Sequence, residues 1–171
     1  MKKSYIIGAV VLLVVIVGYV IYEHEYGPKA KYQKGLHYYK DKNYQKALPL
    51  FEEAAKHNYA SAEEKLGYMY GNGWGVPQHT NKAVYWFKKA ANQGNEAAED
   101  NLGYMYKHGL WVPQDYSKAA YWYKKAAEQG NATAKANLEY LELAHLFGGY
   151  WIKNKRMKWK EIILEWCTNI A

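Results

Sequence analysis

The sequence predicts an all-α protein in which one transmembrane helix precedes a short row of helix-turn-helix repeats. Three observations predict it. Residues 5–22 form an uncharged, mostly apolar run, a stretch of 36 residues is spelled twice, and apolar residues inside each copy recur at helical spacing.

The apolar run YIIGAVVLLVVIVGYVIY is long enough to cross a hydrocarbon core. Tyr5, Tyr19 and Tyr22 stand near its ends, where a half-wet aromatic ring suits the headgroup level. A cleaved signal peptide has a shorter apolar region and small residues at its cleavage site. This run ends in Val20-Ile21-Tyr22-Glu23, which favours an uncleaved anchor in the lipid bilayer. Orientation is balanced between Lys2 and Lys3 before the run and Lys29, Lys31 and Lys34 after it. The short basic tail ahead of a long apolar run favours a soluble part outside the cytoplasm. Gly27-Pro28 then breaks the helix.

Beyond that break the repeat begins. LGYMYGNGWGVPQ (Leu66 to Gln78) returns as LGYMYKHGLWVPQ (Leu102 to Gln114), and 22 of 36 aligned positions are identical between residues 61–96 and 97–132. Each copy reads as two helices. Ala62, Leu66 and Tyr70 line one face of the first, and Ala83, Trp86, Phe87, Ala90 and Ala91 line the second. Gly67 sits inside the first helix, where glycine costs about 1 kcal/mol against alanine, so close approach of the neighbouring helix is expected there. Gly94 is expected to end the second helix in a left-handed cap. Asp115 is the expected N-cap of the later second helix and Thr80 that of the earlier one.

These residues resemble the Sel-one-like repeat family, relatives of the tetratricopeptide repeat. Leu66-Gly67, Tyr70, Gly73-Trp74-Gly75-Val76, Lys82-Ala83, Trp86-Phe87, Lys89-Ala90-Ala91 and Gln93-Gly94 carry the resemblance. The later copy departs from it with Trp111 where Gly75 stands. Upstream, Gly35, Tyr38, Ala47, Phe51 and Ala54 have the spacing of an ordinary tetratricopeptide repeat. The resemblance implies a short right-handed α-solenoid that holds another protein in its concave groove, in bacterial envelope or host-contact roles. It implies no reaction. Transferred tetratricopeptide geometry puts the residue after the packing glycine in that groove, which names Tyr68, Tyr104 and, in the trailing half-repeat, Tyr140. Glu64 and Asp100 lie one turn earlier, so an acid-edged tyrosine ladder is expected to receive an extended or helical partner segment.

The chain thus divides into a basic tail (1–4), an anchor (5–22), a linker (23–28), a tetratricopeptide-like repeat (29–60) and two Sel-one-like repeats (61–96 and 97–132). A trailing half-repeat helix (133–147) and a basic amphipathic capping helix (150–167) complete it. In the last of these Ile152, Trp159, Ile163 and Trp166 form a helical stripe among lysines. It is expected either to cap the array or to touch a membrane surface, through Trp151, Lys155, Arg156, Lys158 and Trp159.

Composition bounds the remaining possibilities. The net charge of +7 permits anionic partners and is equally compatible with plain solubility. Nucleic acid is not expected, because the basic residues are local and the array carries many acids. A lone Cys167 forms no intramolecular disulfide. The six histidines are scattered without ligand spacing, and Gly71-Asn72-Gly73-Trp74-Gly75 lacks the Gly-Lys-Ser/Thr of a phosphate loop. No catalytic residue, cofactor, metal or small-molecule substrate is therefore expected. The reading is a single-pass protein of the bacterial inner membrane that scaffolds another protein. The alternatives are a secreted or host-directed adaptor after signal cleavage, and a small envelope enzyme or regulatory subunit with unrecognised active residues.

Overall fold

The computed structural model describes residues 2–146, with side chains from residue 10 onward except those of His24, His145 and Leu146. The tail expected at 150–167, with Trp151, Lys155, Arg156, Lys158 and Trp159, lies outside the described residues. Within them the chain forms eight α-helices: α1 (Lys2–Tyr26), α2 (Pro28–Lys40), α3 (Tyr44–Lys56), α4 (Ala60–Asn72), α5 (Thr80–Asn92), α6 (Glu96–His108), α7 (Tyr116–Glu128) and α8 (Ala132–Leu146).

The first helix runs on through residues 23–26, expected as linker, because nothing before Gly27-Pro28 interrupts it. Gly27 is extended, as the residue before a proline must be, and Pro28 opens α2. Hydrogen bonding still bridges the break. The Gly27 N–H donates to the Glu23 carbonyl at 3.2 Å, and the Gly27 carbonyl accepts from Lys31 at 3.0 Å. One residue therefore separates the apolar helix from the repeats.

The pairs α2–α3, α4–α5 and α6–α7 stack side by side, and α8 packs on α7. Alanines set the spacing. Ala47, Ala54, Ala62, Ala83, Ala90, Ala98, Ala119, Ala126 and Ala134 are fully buried, so backbones approach closely around Phe51, Leu66, Phe87, Leu102 and Tyr123. The interior glycines behave as expected. A Cβ on Gly67 would lie 2.8 Å from the Phe87 ring, and one on Gly103 would lie 2.5 Å from Tyr123.

Gln-Gly-Asn ends the α4–α5 and α6–α7 pairs. Gly94 (φ 78°) and Gly130 (φ 101°) take the left-handed conformation. The N–H of the next residue then closes onto the helix end, Asn95 to the Ala90 carbonyl and Asn131 to that of Ala126, both at 3.1 Å. The same asparagines cap the following helices, accepting from Ala98 N–H at 2.9 Å and Ala134 N–H at 2.8 Å. Asp115 caps α7 as expected, accepting from Lys118 N–H at 3.0 Å. Thr80 does not cap α5: it is the first helical residue, and His79 holds the cap position without a side-chain bond. His79 is fixed by its backbone, whose N–H donates to the Tyr70 carbonyl at 2.7 Å.

Both long loops are anchored at each end. Gln78 donates to the Gly71 carbonyl at 2.7 Å and Gln114 to the Lys107 carbonyl at 2.8 Å, satisfying groups that a helix C-terminus leaves open. The glutamine of each Val-Pro-Gln is thus a clasp on the preceding helix. Trp74 stacks on Tyr44 (ring centroids 5.2 Å apart, planes 8° apart), while Gly75 (φ 74°) lies against the Tyr44 backbone. In the later loop Trp111 takes the Gly75 position with φ 59°, a conformation that costs a bulky residue about 1–2 kcal/mol. Its ring lies over Gly71 and stacks on Phe87 at 6.5 Å. The departure from the repeat pattern is therefore packing onto the preceding pair.

Candidate partner-binding face

The first helices of successive pairs, α4, α6 and α8, share one face, and side chains link them along it. The Tyr68 hydroxyl donates to Asn101 Oδ1 at 2.9 Å, joining α4 to α6. Lys107 donates to Asn137 Oδ1 at 2.8 Å and sits 4.8 Å from the Tyr140 ring centroid, joining α6 to α8.

The three expected tyrosines differ in what they touch. Tyr68 is half-buried, edge-on to Phe87 at 5.1 Å, with burial raising its phenol above the ordinary value. It belongs to the packing as much as to the surface. Tyr104 is 50% exposed and Tyr140 49% exposed. Tyr104 meets only the His108 ring among the described aromatic contacts, at 4.3 Å.

The expected acids also differ. Glu64 is 5% exposed and pairs with its neighbour Lys65 at 2.9 Å. The Lys65 ammonium lies 5.7 Å from the Tyr68 ring and 6.0 Å from that of Tyr39. Asp100 is partly buried, and it forms no ion pair among the described residues. Its Oδ1 is buried without a hydrogen-bond partner among the described residues. Burial first, then the charge of Glu96, push its carboxyl above the usual carboxylate value. The fully buried Tyr123 hydroxyl also lacks a partner among the described residues. Burial raises its phenol well above the ordinary value, with Asp100 and Tyr104 adding to the rise.

The Sel1 repeat family model matches residues 17–40, 32–59, 60–95 and 97–131, well over half of the chain. The chain belongs to the Sel1 repeat family. Among solved structures it is similar to a Sel1 repeat protein from Oxalobacter formigenes, at 34% identity and TM-score 0.61, over 64% of this chain and 45% of that one. It is also similar to a protective antigen of uropathogenic Escherichia coli with an SLR fold. There the identity is 34% and the TM-score 0.64, over 70% of this chain and 26% of that one. Cysteine-rich protein B of Helicobacter pylori aligns at 26% identity and TM-score 0.52, over 54% of this chain and 69% of that one. The chain thus spans less than half the length of the first two relatives. No curated protein matches it.

Sel1 repeat proteins are generally non-enzymatic scaffolds for protein–protein interaction. Among the described residues of this member, no group of three or more His, Cys, Asp or Glu is placed to hold a metal.

Sequence reasoning missed a second pair of acids. Glu63 and Glu99 are buried, at 0% and 1% exposed, and each is tied to the other helix of its own pair. Gln93 donates to Glu63, and Lys89 faces the same carboxylate at 2.9 Å. Gln129 donates to Glu99 at 2.7 Å, with Lys125 at 3.5 Å. The available signal was the joint recurrence of glutamate, lysine and glutamine at one offset.

Proposed function

We propose that the chain is a membrane-tethered scaffold whose α4–α6–α8 face holds a segment of a partner protein. The observation that carries the reading is the pair Tyr104 and Tyr140. They occupy equivalent repeat positions, remain half exposed, and are not needed to fill the core. Large amphipathic rings of this kind anchor partner segments, because they bury much area for little lost side-chain entropy. Tyr68, Glu64 and Asp100 extend the same face toward the first pair.

The tether is α1. Among the described residues one helical segment is long and apolar enough to cross a membrane, and every residue from Val10 to Tyr22 is exposed. A row of valine, leucine and isoleucine in water is unfavourable by about 25 cal/mol per Å2, which supports lipid around it. Gly27 then sets the repeats directly beside the bilayer, outside the cytoplasm in this reading. In mechanism the scaffold is passive: the anchor fixes where capture occurs, and the groove fixes what is captured.

The test is co-purification from native membranes with the full chain and with Tyr104→Ala/Tyr140→Ala. The reading expects a specific co-purifying protein that the double variant loses while its helical content is unchanged. Retention of that protein by the folded variant would contradict it.

A further inference from the structure

Successive repeats place equivalent residues 36 apart, so one repeat serves as the reference for the next. In the α4–α5 pair the acid on the shared face has its own cation. Glu64 and Lys65 meet at 2.9 Å, and the ammonium lies near the Tyr68 and Tyr39 rings. An acid beside aromatic faces is a favourable seat for an ammonium or guanidinium group, since the carboxylate and the ring quadrupoles both attract it.

In the α6–α7 pair the acid and the ring are kept and the cation is replaced. Asp100 stands for Glu64, Tyr104 for Tyr68, and Asn101 for Lys65. Asn101 Oδ1 is taken by the Tyr68 hydroxyl. Asp100 Oδ1 remains buried without a partner among the described residues. Tyr123 stands for Phe87, so a hydroxyl is added where the earlier pair has bare ring. That ring crosses Gly103, and its hydroxyl is fully buried without a partner among the described residues; burial first, then Asp100 and Tyr104, raise its phenol. Buried polar groups left without partners are costly unless a bound group compensates them. Glu96, one turn before Asp100, adds a further negative charge.

We infer that Asp100 and Tyr104 form a seat for a lysine or arginine side chain of the partner segment, the place that Lys65 fills internally one repeat earlier. This rests on the groove reading above and sharpens it: the captured segment carries a basic residue where it crosses α6. Two repeats of one design then differ in purpose. The earlier one is closed by its own lysine, and the later one takes its cation from the partner.

The test uses the full chain in nanodiscs of zwitterionic lipid, with an acetylated, amidated pentalysine peptide as probe and a pentaglutamate peptide as control. Pentalysine is expected to bind and pentaglutamate not to. Asp100→Asn is expected to weaken pentalysine binding by about fivefold or more, the scale of one lost charge-assisted contact. Asn101→Lys, which installs the internal cation of the earlier repeat, is expected to do the same. Glu128→Gln, at an exposed acid of α7, is expected to leave binding unchanged. No binding of pentalysine, or equal binding by Asp100→Asn and Asn101→Lys, would overturn the inference. The groove reading is separable from it. If pentalysine binding ignores position 100 while Tyr104→Ala/Tyr140→Ala still loses the natural partner, only the cation seat fails.

Discussion

Glu63 on α4 and Lys89 on α5 meet at 2.9 Å, with the carboxylate fully buried and Gln93 donating to its other oxygen. Glu99, Lys125 and Gln129 repeat the arrangement one pair later. A buried ion pair adds little net stability, yet losing one partner strands the other charge. Lys89→Met is therefore expected to cost about 3 kcal/mol, and Glu63→Met/Lys89→Met distinctly less. Urea unfolding followed by circular dichroism checks the order of the two. A double variant as unstable as the single one would show that the pair is more than charge compensation.

Gly103 faces Tyr123 more tightly than Gly67 faces Phe87, at 2.5 Å against 2.8 Å for an added Cβ. Both alanine variants overpack, which costs about 1–3 kcal/mol. Gly103→Ala is expected to be the more damaging in thermal unfolding. Phe87→Leu is expected to recover part of the loss in Gly67→Ala, because the added methyl then has room.

Trp111 combines a strained backbone with a seated ring. Trp111→Gly is expected to relieve about 1 kcal/mol of left-handed strain while losing about 3 kcal/mol of packing on Gly71 and Phe87. The variant should therefore be destabilised by about 2 kcal/mol, although it restores the commoner repeat residue. Denaturant midpoints decide the sign.

Asp100 makes the array sensitive to pH. Its carboxyl is raised by burial and by Glu96, so the folded state holds that proton more tightly than the unfolded chain does. The associated stability is complete below the unfolded value of 3.8 and is lost as pH climbs through the folded value. Asp100→Asn is expected to raise the thermal midpoint near pH 7 and to leave it unchanged near pH 3. An equal shift at both pH values would mean that charge is not the cause.

Much of this was legible in the sequence, for local reasons. Leu66, Gly67 and Ala83 carry the period and the close approach in their own identities, and Gly94 announces its turn. Glu63 was passed over because a glutamate in a helix reads as a solvated charge. Only its lysine and glutamine, on the next helix, make burial tolerable. Trp111 was equally opaque: its seat is Gly71, in the preceding pair, and nothing near Trp111 in the chain names it. For the groove, the sequence placed Glu64 and Asp100 as equals. The Lys65-to-Asn101 exchange that separates them became meaningful only once both ends were seen in space.

The central claim is that the α4–α6–α8 face is where the partner sits. The direct measurement is photocrosslinking in cells, with a benzophenone side chain at position 104 or 140 on that face and at 85 or 121, exposed tyrosines of α5 and α7, as controls. The account expects one discrete crosslinked protein from 104 and 140 and none from 85 and 121. Crosslinks confined to 85 and 121, or equally strong from all four, would contradict it.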